Sequence, residues 1–429
     1  MGCQDDRINR IVIESRLAQR AFRTVKADRK LEDEKVELAI EKIIESNHPL
    51  SDIAKKVVEG TRITRDDAIR LYQSSDLTAI GALGEYARKQ RAGKDREKYV
   101  YYIHNMHLNP TNICGETCKF CSYANPAEKG KAYMWSVERV LEEAAKGAAL
   151  GINEIHMVGG LTPAADLKYY ETILREIKSK FPHIHMKAMT AVEIEYLAER
   201  EKISYEDCLK RLIAAGLQSM PGGGAEIFDE SVRQRMAVKK TPAHVWLEIH
   251  GIAHKLGLYS NATMLTGISE TVENKVDHML LLREQQDKTG GFQCFIPLKC
   301  YYEGTTIKGE VEEPTGFDLL KDVAISRILL DNFPHIKAYW IQLGEKIAQI
   351  ALSFGADDMD GTIGEEKITH AAGAMTPLQL AKEEMEYLIS QAGYTPVERD
   401  TIYNIKHVGG AGLKASTAES KKVELAQVK

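Results

Sequence analysis

Asn112-Ile-Cys-Gly-Glu-Thr-Cys-Lys-Phe-Cys-Ser-Tyr123 directly follows a stretch, residues 102–110, that reads as a β-strand. Its cysteines, Cys114, Cys118 and Cys121, have the CxxxCxxC spacing of a site for a [4Fe-4S] cluster. Three thiolates leave one iron of the cubane without a protein ligand, so that iron can hold a guest. A structural zinc site takes a second cysteine pair. Cys3, Cys208, Cys294 and Cys300 supply no such pair, although one of the 13 histidines could complete a zinc set. A ligand loop at the end of a strand decides the fold reading, because βα proteins carry their chemistry there.

Outward from that loop, strand-like stretches fall near 102–110, 154–159, 184–190, 217–220, 258–265, 291–297, 336–341 and 355–360. Segments with helical periodicity separate them: Val137 to Leu150, Leu167 to Lys180, Ala243 to Leu256, Val272 to Gln286 and Phe317 to Leu330. Regular alternation predicts parallel strands with crossover helices. The expected fold is α/β, a (βα)8 TIM-like barrel over residues 96–405. Residues 1–95 are predicted to form a helical extension, with a capping box at Thr64-Arg-Asp-Asp67 and a further helix start at Ser75-Asp76. Residues 406–429, rich in Gly, Lys, Ser and Thr, are predicted to be a flexible tail.

Composition excludes several classes. The 57 basic and 62 acidic residues leave a net charge of −5, with no electrostatic footprint for nucleic acid. No apolar run approaches the roughly 18 residues of a membrane span. Without a leader sequence, and with seven cysteines, the chain is expected to be cytoplasmic, where thiols stay reduced.

Phe120, just before the third cysteine, fits the aromatic position of the radical SAM pattern CxxxCxΦC, so the predicted guest on the open iron is S-adenosylmethionine. Met157-Val-Gly-Gly-Leu-Thr-Pro163 follows the second strand, and its Gly159 and Gly160 resemble the pair whose backbone meets the methionine amino group. Glycine permits that approach because it lacks a Cβ. Pro221-Gly-Gly-Gly-Ala-Glu226 lacks the GK[ST] ending of a phosphate loop. Its glycines are predicted to pass close to the nucleoside, with Glu226 accepting from the ribose hydroxyls. Thr190-Ala-Val-Glu193 supplies a second candidate carboxylate, Glu193. Either carboxylate could instead serve a helix N-terminus.

The chain resembles the aminofutalosine synthase family of radical SAM enzymes. The resemblance rests on His107-Leu-Asn-Pro-Thr-Asn-Ile-Cys114, Thr190-Ala-Val-Glu-Ile194, Pro221-Gly-Gly-Gly-Ala-Glu-Ile-Phe228, Ser260-Asn-Ala-Thr-Met-Leu265, Thr289-Gly-Gly-Phe-Gln-Cys-Phe-Ile-Pro-Leu298 and Phe354-Gly-Ala-Asp-Asp-Met-Asp-Gly-Thr362. It implies transfer of the adenosyl group to the enol ether 3-[(1-carboxyvinyl)oxy]benzoate, with rearrangement and decarboxylation, in menaquinone biosynthesis. It also implies an external electron donor of flavodoxin or ferredoxin type. A substrate with two carboxylates needs cationic or hydrogen-bonding partners, and His107, Arg235, His250 and Lys299 are the candidates. Asp357, Asp358 and Asp360 could orient a cation or a proton.

The sequence departs from the family pattern at Met106, at Thr266-Gly-Ile268 and at Lys299, all near the expected pocket. Two other readings remain at this point. One is a sister enzyme that abstracts hydrogen, such as cyclic dehypoxanthine futalosine synthase or the deazaflavin-forming enzymes. The other is an iron–sulfur or zinc protein without catalysis.

Overall fold

The computed structural model describes residues 35–409 apart from 117, 125–129, 238–240, 363 and 365. Strands β1 (Tyr99–Ile103) and β2 (Asn105–Leu108) are two halves of one run, interrupted at His104. After β2 come β3 (Glu154–Met157), β4 (His185–Ala188), β5 (Ser219–Met220), β6 (Tyr259–Thr266), β7 (Phe292–Lys299) and β8 (His335–Ile336). They lie side by side in sequence order as a seven-stranded parallel sheet. Strand β9 (Asp358–Gly361) pairs in parallel with β1. Lys337 bridges to Asp358, and Ala338 N–H donates to Asp358 O at 2.8 Å. The ladder therefore comes round from β8 through β9 to the run that began it, as the (βα)8 reading requires.

Two strands escaped the sequence reading. Strand β10 (Thr395–Arg399) pairs in parallel with β1, and β11 (Ile405–Val408) pairs antiparallel with β10. The edge of β1 that meets β10 becomes, beyond His104, the edge of β2 that meets β3. The His104 ring fixes this crossover, with Nδ1 2.9 Å from Thr362 Oγ1 and Nε2 2.9 Å from Leu150 O. Ordered structure thus extends to Val408, inside the segment read as tail. Residues 410–429 and 1–34 lie outside the described residues. The strand read at 336–341 is only the pair His335–Ile336, and the short helix Trp340–Leu343 follows.

The crossover helices begin where small polar residues can accept the orphaned N–H groups of the first turn. Thr190, Thr271 and Thr315 each close a full capping box. The box expected at Thr64 is present with Asp67, and Asp76 caps the helix Leu77–Ala92 through Ala79 N–H. These N-terminal helices dock on the barrel's outer ring. Tyr72 donates to buried Asp322 at 2.8 Å, and a Cβ on Gly84 would come 2.5 Å from Phe354 O, so glycine sets that spacing.

Candidate active site

The C-terminal ends of the strands surround a cavity of about 370 Å³. Cys114, Cys118 and Cys121 line its rim, all half-buried. Main-chain bonds hold their loop between neighbouring units. Gly115 N–H donates to Leu161 O at 2.9 Å, Lys119 N–H to Met236 O at 2.8 Å and Thr306 N–H to Lys119 O at 3.1 Å. Gly160 packs under the loop, where a Cβ would stand 2.2 Å from Ile113 O and 3.1 Å from Cys114 Cβ. A side chain there would displace the first cysteine. Three thiols on one loop are the donor set that a cubane with one open iron takes. Cys300 also reaches the cavity, where burial pushes its thiol up to about 12.

Phe120, Gly159, Thr190, Glu193 and Glu226 all line the same cavity. Glu193 occupies the third position of the helix Ala191–Glu201. Its carboxylate accepts from Thr190 N–H at 2.8 Å, from Thr190 Oγ1 at 2.8 Å and from Gly159 N–H at 3.1 Å. One side chain thus fastens the start of a helix to the glycine turn of the preceding βα unit. Burial pushes this carboxyl up to about 7, against the three hydrogen bonds that favour its charge. Gly222 runs so close to β6 that a Cβ would meet Asn261 O at 2.8 Å, which gives the glycine run its reason. Glu226 is held at φ +46°, with Leu265 N–H donating to its carbonyl at 3.0 Å.

Of the four cationic candidates, His107 and Lys299 face the cavity. Lys299 pairs with Glu313 and lies 4.7 Å from the centroid of the Tyr301 ring. The other two do not belong here. His250 points from the helix Ala243–Lys255 into the layer outside the sheet, against Trp246 with ring centroids 3.8 Å apart, and shares a 2.8 Å hydrogen bond with Ser260 Oγ. Arg235 is exposed, bonded to Ser231 and Ser269. Both sit on helices, where sequence gives a charge but not the face that carries it. Met106 packs outward against Gly147, Thr266 bonds Leu298 O and Ile268 is buried. Of the departures from the family pattern, the stretch that begins at Lys299 lines this cavity, with Lys299, Cys300 and Tyr301.

The deeper wall sets His107 beside two residues that sequence reading missed, His156 and Lys187. His107 on β2, His156 on β3 and Lys187 on β4 stand in register across three strands, and all face inward. Their signal was available, since Glu154, His156, His185 and Lys187 alternate as polar positions in otherwise apolar strands. Lys187 pairs with buried Glu154 at 2.6 Å, and Lys337 pairs with Asp360. Asp360 sits at φ +70°, an uncommon conformation for a residue with a Cβ, and is the one aspartate of its trio that reaches the cavity. Glu366, also on the cavity wall, is occupied by the N–H groups of Ile368, Thr369 and His370.

Comparison with known proteins agrees with this geometry. Residues 108–282 match the radical SAM superfamily, and residues 289–411 match the CofH/MqnC C-terminal region. The chain is 42% identical over 357 residues to an aminodeoxyfutalosine synthase from Thermus thermophilus, covering 82% of this chain and 95% of the relative. The chain belongs to the aminodeoxyfutalosine synthase family of radical SAM enzymes. It is also 37% identical to a cyclic dehypoxanthine futalosine synthase from Streptomyces coelicolor, over 82% of this chain and 88% of that one. In fold it resembles the FeFe-hydrogenase maturase HydG of Carboxydothermus hydrogenoformans, with a TM-score of 0.64 at 16% identity over 90% and 85% of the two chains.

Membership in this family fixes the cofactors as a [4Fe-4S] cluster and S-adenosylmethionine. Cys114, Cys118 and Cys121 are the residues that would hold the cluster. Among the described residues no helix is long and apolar enough to cross a membrane.

Proposed function

We propose that the protein joins the adenosyl group of S-adenosylmethionine to 3-[(1-carboxyvinyl)oxy]benzoate, giving 6-amino-6-deoxyfutalosine for menaquinone biosynthesis. The observation that carries this reading is the 42% identity to an aminodeoxyfutalosine synthase across 95% of that relative's length. The bound cluster and S-adenosylmethionine would supply a 5′-deoxyadenosyl radical. What remains for the protein is to hold an alkene beside the site of radical release and to exclude water.

Its residues suit that task. The rim carries the cysteine loop and, beside it, the two glycine-bearing turns at Gly159 and Gly222. Glu193 fixes the first of these turns, and Glu226 stands at the second, where it is assigned to the ribose hydroxyls. Apolar groups, among them Val158, Leu161, Val192 and Leu298, line the middle of the cavity and suit an aromatic ring. Lys299 and His107, both on the cavity wall, are assigned to the two carboxylates. The external electron donor is assigned to the flavodoxin or ferredoxin type, and the compartment to the cytoplasm.

Anaerobic turnover of the reconstituted protein with S-adenosylmethionine, a strong reductant and the enol ether, read by mass spectrometry, tests the proposal. The expected product is an adenosyl adduct lacking one carboxylate, with methionine released. Formation of 5′-deoxyadenosine alone would move the chain to the hydrogen-abstracting branch.

A further inference from the structure

We propose that the inward-facing imidazoles of His107 and His156, backed by Lys187, form a carboxylate-binding subsite in the deep wall of the cavity, and that they take up a proton as the carboxylate enters. The inference deepens the functional proposal above and rests on it for the identity of the ligand.

Three observations support it. His107 Nε2 is buried and has no hydrogen-bond partner among the described residues. A buried nitrogen left without a partner is costly, so an acceptor supplied by a ligand would relieve it. The His156 ring lies beside it, centroids 4.7 Å apart, and both rings keep their remaining surface on the cavity side. The two residues are register partners on β2 and β3, and Lys187 is the next partner on β4, so all three point to one spot.

Charge matching supplies the proton. The fixed cations on this wall are already paired: Lys187 with Glu154 on β3 and Lys337 with Asp360 on β9. Glu366 adds a further carboxylate from the loop above. A carboxylate entering this wall would therefore be an unmatched buried anion, which is costly unless a positive charge arrives with it. Burial, with Lys187 adding to it, holds both imidazoles below their ordinary range, so they are neutral while the wall is empty. An adjacent carboxylate reverses that balance and favours imidazolium. Ligand affinity should therefore fall as pH rises from the lowered value of the empty site to the raised value of the occupied one, and level off above it.

The test uses the cluster-reconstituted full chain under anaerobic conditions. Equilibrium dialysis measures binding of 3-[(1-carboxyvinyl)oxy]benzoate and of benzoate from pH 6 to 9, for the native protein and for His107→Asn and His156→Asn. Loss of a hydrogen bond to a charged group predicts weaker binding by about tenfold to a hundredfold in each variant, with a flatter pH profile. The change in the cluster's EPR spectrum on adding S-adenosylmethionine should be unaltered, and circular dichroism confirms folding. If His107→Asn fails to fold, His156→Asn and the native pH profile still decide.

Equal binding by native protein and variants would overturn the subsite while leaving the enzyme's proposed activity intact. So would a native profile in which affinity is flat or rises with pH. If the native chain ignores the enol ether, the functional proposal fails. Histidine-dependent benzoate binding would then still support the subsite, and absence of benzoate binding would overturn it too.

Discussion

The two ends of this barrel bury charge in opposite ways. At the end built from β1, β9 and β10, each buried charge has a partner. Arg399 bonds Asp358 at 2.6 Å and lies over the Tyr403 ring, while Asp357 accepts from Arg327 at 2.6 Å and contacts His335 at 2.8 Å. At the cavity end, His107 Nε2 has no partner among the described residues, Glu193 is a carboxyl raised by burial, and three half-buried thiols stand on a loop held by main-chain bonds. The matched end works as a fastening. The unmatched end keeps bonding capacity in reserve for molecules that enter.

The largest test of this contrast removes the loop's chemistry. Cys114→Ala, Cys118→Ala or Cys121→Ala should each abolish turnover and bound iron and leave circular dichroism unchanged, because the thiols sit on a loop outside the barrel's core. An active, iron-loaded single variant would refute the ligand assignment. The complementary test strikes the matched end. Arg399→Met strands Asp358 without its partner, and breaking a buried pair in this way costs about 3–5 kcal/mol. Denaturant unfolding should show that loss, while the variant that remains folded keeps its iron. A drop in iron content equal to that of the cysteine variants would mean the two ends are not separable.

How much of this contrast was readable in the sequence follows from how local each feature is. The cysteine spacing, the Thr64–Asp67 capping box and the alternation of strand and helix are set by neighbours a few residues apart, and all are present. Strand β10, Thr-Pro-Val-Glu-Arg, carries a proline and two charges and reads as loop. It is a strand because β1 offers an open edge from nearly 300 residues away, and its Glu398 pairs with Lys382 and its Arg399 with Asp358 on β9. His156 and Lys187 were passed over because a polar residue in a short strand gains meaning only when register sets it beside two others. His250 and Arg235 misled for the converse reason, since an amphipathic helix does not declare which histidine or arginine faces the sheet.

Glu193 sharpens the comparison through pH. Its carboxyl is raised from 4.5 to about 7 in the folded protein, chiefly by burial. A raised value means the folded state binds the proton more tightly than the unfolded state does. The stabilisation is fully present below pH 4.5 and is lost as pH rises through about 7, amounting to about 3 kcal/mol. Glu193→Gln removes the titrating group and keeps its shape. Between pH 4.5 and 7.5 the native protein's Tm should therefore fall relative to that of the variant. Parallel curves would show that the bonds from Thr190 and Gly159 keep this carboxylate charged throughout, making the cavity end better matched than it looks.

The smallest effect is expected at Arg235, and it bears on where the cavity end stops. Arg235 lies on the helix Glu230–Met236, whose other face buries Arg233 against the carbonyls of Ala225 and Ile227, next to the glycine-rich turn. Only Gln234 separates an arginine that holds this turn in place from one that reaches solvent. Arg235→Ala should change stability by no more than about 0.5 kcal/mol and leave KM for the enol ether unaltered. Arg233→Ala would leave those carbonyls without their donor, and should lower both Tm and the occupancy of S-adenosylmethionine. A raised KM in Arg235→Ala would place a substrate carboxylate outside the cavity, and the functional surface would then reach onto the helical ring.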